Sequence, residues 1–226
     1  MKQPNNPKTS KMPRVTEVLD RFPEPAVVSW KVRVGAEKAK EISDEALDIG
    51  SIVDGLIQQH INGNYKGCPY GPEDYPEVHS CMNAWNNFLT NHPWFIGKVV
   101  SIQDELKLDD LVGHPDIILK DEICDIKCSK AIRKSYWMQT AQYAYMKNMT
   151  PTIDDGKRFA IDKTIKRISI LRLDKATGEY EYKSLEEPFI TFWQSKFDAR
   201  YQAFKEDEEF HAMMRKKKEK EILYET

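Results

Sequence analysis

The segment GHPDIILKDEICDIKC (residues 113–128) decides the fold of this chain. Two short runs rich in β-branched residues flank a polar stretch around Asp121, which is typical of a β-hairpin. Asp125 and Lys127 are two residues apart, so on a strand their side chains project from the same face. A tight turn near Asp121 would place Asp116 beside Asp125 on the neighbouring strand. The hairpin is therefore predicted to gather two carboxylates and one ammonium group.

Such a cluster has the chemistry of a metal site. Two neighbouring carboxylates repel one another and raise each other's pKa, and a divalent cation removes that repulsion. Hard oxygen ligands suit Mg²⁺ or Mn²⁺. An ion held there can bind a phosphate oxygen and lower the pKa of a bound water, while a lysine neutralises developing charge. The alternative is an exposed hairpin with scattered charges, which Asp125-x-Lys127 alone does not exclude.

The sequence around the hairpin predicts an α/β fold, with a mixed central β-sheet flanked by helices. Three β-branched runs from Lys98 onward predict a β-meander. Apolar residues at helical spacing predict a helical N-terminal region and a long, charged C-terminal helix. Predicted helices span 15–20, 23–35 (ended by Gly35), 43–62 (with Ser43 as N-cap), 77–91 and 133–148, and further strands span 158–173 and 179–184. The inner face of the last helix would carry Phe189, Phe192, Trp193, Phe197, Tyr201 and Phe204.

Composition agrees with one folded domain. Hydrophobic residues make up 40% of the 226 residues, which is enough to bury a core. Residues 1–14 are rich in Pro, Asn and Lys and predict a flexible lead-in, and residues 15–226 show no linker. The net charge of -2 argues against a nonspecific DNA coat but leaves room for a local basic face. Without a signal peptide or a membrane-spanning run, we expect a cytoplasmic protein with reduced thiols, in a bacterial or phage-infected cell.

The helix predicted after the hairpin adds polar groups. Gln139 and Tyr143 are four residues apart and share a helix face, where the alternative is a satisfied polar contact on a partly buried helix. The segment KCSKAIRK (127–134) contains no acid and lies between strand and helix. A basic segment beside a metal site is where a phosphate backbone would bind. The candidate nucleic-acid contacts are Lys130, Arg133, Lys134 and Tyr136.

These motifs, in this order, resemble the PD-(D/E)XK nuclease superfamily. The order is Pro115-Asp116, Asp125-x-Lys127 and Gln139-x-x-x-Tyr143, and the last motif is similar to the RecB-like exonuclease branch. The N-terminal half agrees through the segment VTEVLD, through Pro25 and Trp30, and through Gly50-Ser-Ile-Val-Asp54. The resemblance covers roughly residues 15–150 and includes phage recombination exonucleases and the mitochondrial genome maintenance exonuclease.

The resemblance implies a restriction-endonuclease-like core and a metal-dependent DNA exonuclease acting in replication, recombination or repair. Asp116 and Asp125 would bind one or two Mg²⁺ or Mn²⁺ ions, with the backbone carbonyl of Ile126 as a further ligand. Lys127 would position the attacking water. DNA with ends would be the substrate, replication or recombination proteins would be the protein partners, and no membrane is implied.

The resemblance also implies roles for residues outside the hairpin. Gln139 and Tyr143 would organise the site or touch DNA, and Glu105 would be a second-metal or supporting carboxylate. The branch usually has a metal-binding histidine where this chain has Asp54. Aspartate is also a hard ligand, so a site of three carboxylates is expected to favour Mg²⁺. The alternative is that Asp54 does not reach the metal and that only one ion binds tightly.

Other interpretations remain open from the sequence. The same core could carry a structure-selective endonuclease, or a catalytically weak nucleic-acid-binding module. Four cysteines could bind zinc, although their spacings do not match a common finger. The Gly/Pro/Tyr-rich loop 62–76 is either a cover over the site or a surface loop.

Overall fold

The computed structural model describes residues 12–150, 153–154, 157–158 and 164–224, with side chains described for 12–150 and 164–215. Residues 1–11 of the predicted lead-in and residues 159–163 of a predicted strand lie outside these ranges. The helices are α1 (Val15–Arg21), α2 (Pro25–Val34), α3 (Ala36–Ile61), α4 (Pro76–Asn91), α5 (Lys134–Met149) and α6 (Phe189–Tyr224). The strands are β1 (Val99–Ile102), β2 (Leu106–Leu108), β3 (Leu111–Gly113), β4 (Ile117–Leu119), β5 (Glu122–Cys128), β6 (Ile153–Asp154), β7 (Lys157–Arg158), β8 (Arg167–Leu173) and β9 (Tyr180–Glu186).

Five strands form the central sheet, in the order β1-β4-β5-β8-β9. β5 and β8 are parallel, and the other neighbours are antiparallel. Parallel neighbours need a crossover connection, and here the crossover contains α5. The predicted mixed sheet with flanking helices is confirmed. The predicted simple meander is wrong, because β1 pairs with β4 and the intervening β2–β3 hairpin forms a sheet of its own.

The two faces of the sheet are covered by different helices. Ile118 and Ile123 pair across the hairpin and pack in one core with residues of α1, α5 and α6. Their neighbours Ile117 and Cys124 also pair and pack in a second core with residues of α3 and α4. This alternation follows from the period of two along a strand. Both faces of the β4–β5 hairpin are therefore buried, and polar groups are placed at the end of the hairpin that lies away from its turn.

The start of α3 differs from the prediction. The helix begins at Ala36, directly after Gly35, whose φ of 86° ends α2 as predicted. Ser43 is therefore not an N-cap. Its hydroxyl donates to the carbonyl of Ala39 at 2.7 Å, the bond of a serine inside a helix. α3 therefore begins well before the residues that approach the candidate site, and one of its faces is directed toward that site.

The long C-terminal helix is confirmed, but its predicted inner face is partly wrong. Phe197 and Phe204 are buried, and Trp193 and Tyr201 pack beside them. Phe189 and Phe192 are instead 54% and 48% exposed. None of the helices in the described part of the chain is long and apolar enough to cross a bilayer.

Candidate active site

The hairpin β4–β5 brings its two aspartates to the same height. Ile117 pairs with Cys124 in an antiparallel register, so Asp116 and Asp125, the next residues outward, face one another. The amide N–H of Ile126 donates to Asp116 Oδ2 at 2.8 Å. This bond fixes the Asp116 carboxylate against β5. The structure thus brings together the residues that alternation along the strands had predicted.

Lys127 lies on the same face of β5 as Asp125. Its Nζ is 2.6 Å from Asp125 Oδ2 and 5.5 Å from the centre of the Tyr136 ring, which adds a cation–π contact. Burial disfavours the charged form of this lysine, but the carboxylates of Asp125 and Asp116 outweigh it and raise its pKa. Lys127 is therefore an ammonium group that can donate hydrogen bonds and stabilise negative charge.

Asp125 is completely buried. Gln139 Nε2 donates to its Oδ1 at 3.2 Å, whereas its Oδ2 accepts no well-aligned hydrogen bond from the residues that the structure describes. Burial, reinforced by the negative charge of Asp116, raises the pKa of Asp125 against the opposing effect of Lys127. Oδ2 is instead 2.6 Å from the Lys127 ammonium, so the charge of this buried carboxylate is paired within the protein.

Helix α5 supplies the second layer of contacts. Gln139 Nε2 donates both to Asp125 and to the hydroxyl of Tyr143, at 3.1 Å for the latter. Both side chains are buried, and burial together with Asp125 raises the pKa of Tyr143, so its hydroxyl stays neutral. The (i, i+4) spacing that singled out these residues is the geometry that joins them.

Asp54 approaches the site from α3. Its Oδ2 accepts a hydrogen bond from Gln58 Nε2 at 2.7 Å, one turn further along the helix. Burial, followed by the charge of Asp116, raises the pKa of Asp54. The residue that stands in place of the expected histidine therefore faces the cluster, although it is held by amide groups.

Gln103 is a site residue that the sequence did not reveal. It lies between β1 and β2, and its Nε2 is 3.1 Å from Asp116 Oδ1 and 3.3 Å from Asp54 Oδ2. Gln103 belongs to no recognisable motif, so only the fold discloses it. Gln58 was visible in principle, because a glutamine four residues after Asp54 shares its helix face.

The site opens into a cleft of about 320 Å³. Its wall contains one face of α3, the end of β5 and Tyr136, and no residue of the loop 62–76. The lining residues are Ala46, Leu47, Gly50, Ser51, Val53, Asp54, Asp116, Ile126, Lys127, Cys128, Ser129 and Tyr136. A cleft of this size admits a nucleotide-sized group to Asp54, Asp116 and Lys127, whereas Asp125 is buried and does not line it.

The remaining candidate residues lie around the cluster rather than in it. Glu105 precedes β2 and forms ion pairs with Lys107 and, at 3.7 Å, with His114. Lys130, Arg133 and Lys134 are exposed on the segment that joins β5 to α5. Their side chains are free to contact a polyanion next to the cleft.

The residues present fit a hard divalent cation in part. Among the described residues, no three His, Cys, Asp or Glu side chains converge closely enough to hold one ion together. Asp116 and Asp125 are nevertheless hard oxygen donors on neighbouring strands, and the resemblance adds the backbone carbonyl of Ile126 to them. Mg²⁺ and Mn²⁺ prefer such ligands and complete their coordination with water and phosphate oxygens.

Comparisons with known proteins add little to this geometry. No family model matches the chain, and no curated protein matches it. Eleven chains of solved structures match, among them the crystal structure of LHK-Exo in complex with dAMP. That match has 13% sequence identity and a TM-score of 0.33, and covers 74% of this chain and 85% of that chain. A similarity of this size carries no argument about what this chain binds or does.

Proposed function

We propose that this chain is a metal-dependent deoxyribonuclease that hydrolyses phosphodiester bonds of DNA from an end. The observation that carries the proposal is that Asp116 and Lys127 line one cleft and that Lys127 is paired with the buried Asp125 behind it. The two carboxylates can hold a divalent cation. That cation and the Lys127 ammonium can then stabilise the negative charge that develops on a phosphoryl group. The preference for ends rests on the resemblance of the sequence motifs to the RecB-like branch.

The carboxylates of the site support the proposal of a bound metal. A Mg²⁺ or Mn²⁺ ion held by Asp116, Asp125 and the carbonyl of Ile126 would supply Lewis acidity to a phosphate oxygen and to a water molecule. Asp54 as a further ligand, and Glu105 as a ligand of a second ion, remain predictions.

The chain's own residues orient the reacting groups. Lys127 is positively charged beside Asp125, so it can donate to the attacking water or stabilise negative charge that develops on the phosphoryl group. Gln139 holds Asp125 Oδ1 and leaves Oδ2 directed toward Lys127. The hydroxyl of Tyr143 fixes Gln139 in turn. This chain of contacts keeps the carboxylate rigid, which electrostatic catalysis requires.

The substrate's backbone would lie along the segment that joins β5 to α5. Lys130, Arg133 and Lys134 are exposed there, and Tyr136 lines the cleft between them and Lys127. Cations would bind phosphates, and the tyrosine ring can stack on a base.

A cleavage assay with end-labelled linear DNA and Mg²⁺ tests the proposal. We expect Asp116→Ala and Lys127→Ala to lower the cleavage rate by about 100-fold or more. EDTA should abolish cleavage by the parent, and Mn²⁺ should restore it. Asp121→Ala and Lys120→Ala are matched controls, since they remove the same groups from the turn of the same hairpin.

Two outcomes would contradict the proposal. If Asp116→Ala and Lys127→Ala cleave as fast as the controls, the site is elsewhere. If the parent binds DNA but cleaves none with either metal, the chain is a binding module. Cleavage of covalently closed circular single-stranded DNA would replace the exonuclease with an endonuclease on the same site.

A further inference from the structure

Gln103 has an unusual backbone conformation that aims its side chain. Its φ is 54°, in the left-handed region that residues other than glycine seldom occupy. Its amide N–H donates to the carbonyl of Asp116 at 3.2 Å, so the backbone is tied to the residue that its side chain also contacts. Outliers of this kind cost free energy and persist where the surroundings hold them, often at functional sites.

The side-chain amide of Gln103 joins two carboxylates that do not touch. Nε2 lies 3.1 Å from Asp116 Oδ1, and 3.3 Å and 3.4 Å from the two oxygens of Asp54. Gln58 holds Asp54 from the other side. Asp54 therefore contacts Asp116 through the neutral amide of Gln103. The series of hydrogen-bonded side chains is Gln58, Asp54, Gln103 and Asp116.

We propose that Gln103 is the positioning residue of the metal site, and that Asp54 acts on the metal through Gln103 rather than as a direct ligand. This inference rests on the proposed function. Asp54 and Gln58 orient the Gln103 amide, and that amide with the Ile126 N–H fixes both oxygens of Asp116. Each oxygen keeps a lone pair for a cation.

Charge favours this division of labour. Before a cation binds, a third carboxylate in direct contact with Asp116 would add to the repulsion between Asp116 and Asp125. An amide between Asp54 and Asp116 separates the charges while keeping the geometry rigid. Partners of this kind commonly change metal affinity by 10-fold to 100-fold when they are removed.

Calorimetric titration of the full chain with Mn²⁺ tests the proposal without relying on cleavage. Gln103→Asn keeps an amide and tolerates the positive φ, but it is one methylene too short to reach both carboxylates. We expect it to weaken Mn²⁺ binding about 10-fold to 100-fold. Asp109→Asn is the matched control, because Asp109 has a φ of 52° in the β2–β3 turn, and it should bind Mn²⁺ as the parent does.

A double-mutant cycle separates the two possible roles of Asp54. If Asp54 acts through Gln103, Asp54→Ala together with Gln103→Asn should bind Mn²⁺ no more weakly than the weaker single variant. Asp54→Asn, which still accepts the bond from Gln103, should lose less Mn²⁺ affinity than Asp54→Ala. The proposal is overturned if the double variant loses Mn²⁺ affinity by the product of the two single losses, or if Gln103→Asn binds Mn²⁺ as tightly as the parent.

A further titration distinguishes this failure from failure of the proposed function. Asp125→Ala should lose Mn²⁺ binding whatever Gln103 does. Parental affinity in Asp125→Ala would refute the metal site itself, and with it both proposals. Loss in Asp125→Ala with no loss in Gln103→Asn refutes only the role of Gln103.

Discussion

Gly113 lies directly beneath the ring of Tyr143. A Cβ atom built on Gly113 would stand 2.6 Å from Cε1 and 2.8 Å from Cδ1 of that ring, closer than real Cβ atoms approach. The glycine in the motif is therefore required by space, since its φ is not positive. Tyr143 contacts Gln139, and Gln139 donates a hydrogen bond to Asp125. The absence of a side chain at Gly113 therefore affects the position of the Asp125 carboxylate through these two contacts.

Gly113→Ala is expected to destabilise the protein and to slow cleavage. Overpacking of a filled core costs about 1–3 kcal/mol of unfolding free energy, and the displaced tyrosine would loosen Gln139. Urea denaturation and the end-labelled DNA assay measure the two effects. Gly55→Ala is the control, because nothing lies within 4 Å of its Cβ position, and in a helix it should stabilise by about 0.5–1 kcal/mol. Parental stability in Gly113→Ala would refute the packing argument.

Asp54→Asn is expected to raise stability at neutral pH and not in acid. Burial and the charge of Asp116 raise the pKa of Asp54, so the folded chain holds this proton more tightly than the unfolded chain. The cost of ionising Asp54 is absent below the unfolded pKa, about 3.9, and complete above the folded pKa. Urea denaturation in EDTA at neutral pH and near pH 3 should show the gain only at neutral pH.

Asp174→Asn is the control with the opposite sign. The Ala176 amide and the Arg172 guanidinium lower the pKa of Asp174, so its charge stabilises the folded chain fully above the unfolded pKa, about 3.9, and this stabilisation is lost as the pH falls through the folded pKa. Its replacement should cost stability at neutral pH and little in acid. Equal shifts for both variants at both pH values would contradict the assignment of these charges.

His60→Ala is expected to destabilise the fold while leaving metal binding intact. The indole of Trp85 is buried and donates to His60 Nδ1 at 3.0 Å, and the His60 ring stacks on Tyr65 at 5.2 Å. Removal of the acceptor leaves a buried donor unpaired, which costs about 1–3 kcal/mol. Thermal denaturation measures this loss, and Mn²⁺ titration of the folded variant should match the parent. Weaker Mn²⁺ binding would mean that His60 belongs to the metal site.

The combined variant Lys130→Ala, Arg133→Ala and Lys134→Ala is expected to weaken DNA binding at low salt. Each lost phosphate contact lowers the slope of log K against log salt by about 0.7–0.9, so the variant should have a slope shallower by about 2–3. Fluorescence anisotropy over a salt series measures it. Lys183→Ala on the edge strand β9 is the control and should keep the parental slope. An unchanged slope in the triple variant would place the DNA elsewhere.

Local patterns predicted the parts of this molecule that depend on local geometry. The pairing of Asp116 with Asp125 follows from hairpin register, and the contact of Gln139 with Tyr143 follows from helical spacing. The pairing of β1 with β4 was not predictable in this way, because it passes over the separate β2–β3 hairpin. The start of α3 was missed because Ser43 resembles an N-cap but bonds backward to Ala39.

Gln103 is the part of the site that the sequence predicts least well, because its position depends on tertiary contacts. Gln103 meets Asp54 and Asp116, which are 49 and 13 residues away along the chain. Its positive φ has no signature in a glutamine side chain. A motif search finds residues that repeat a known spacing, whereas Gln103 is defined only by where three segments of chain meet.

The parallel pairing of β5 with β8 has a consequence for how the protein folds. Asp125 lies opposite Ile170 and Lys127 opposite Arg172, so the strand of the site gains its second neighbour only after α5 has been crossed. The connection between β5 and β8 loses chain entropy when the two strands meet, and this cost precedes the hydrogen bonds between the strands. Folding of this pair is therefore expected to be slow. During synthesis, β5 would keep an open edge until residue 173 has left the ribosome. The β4–β5 hairpin, which carries both aspartates, is therefore expected to form before β8 docks beside it.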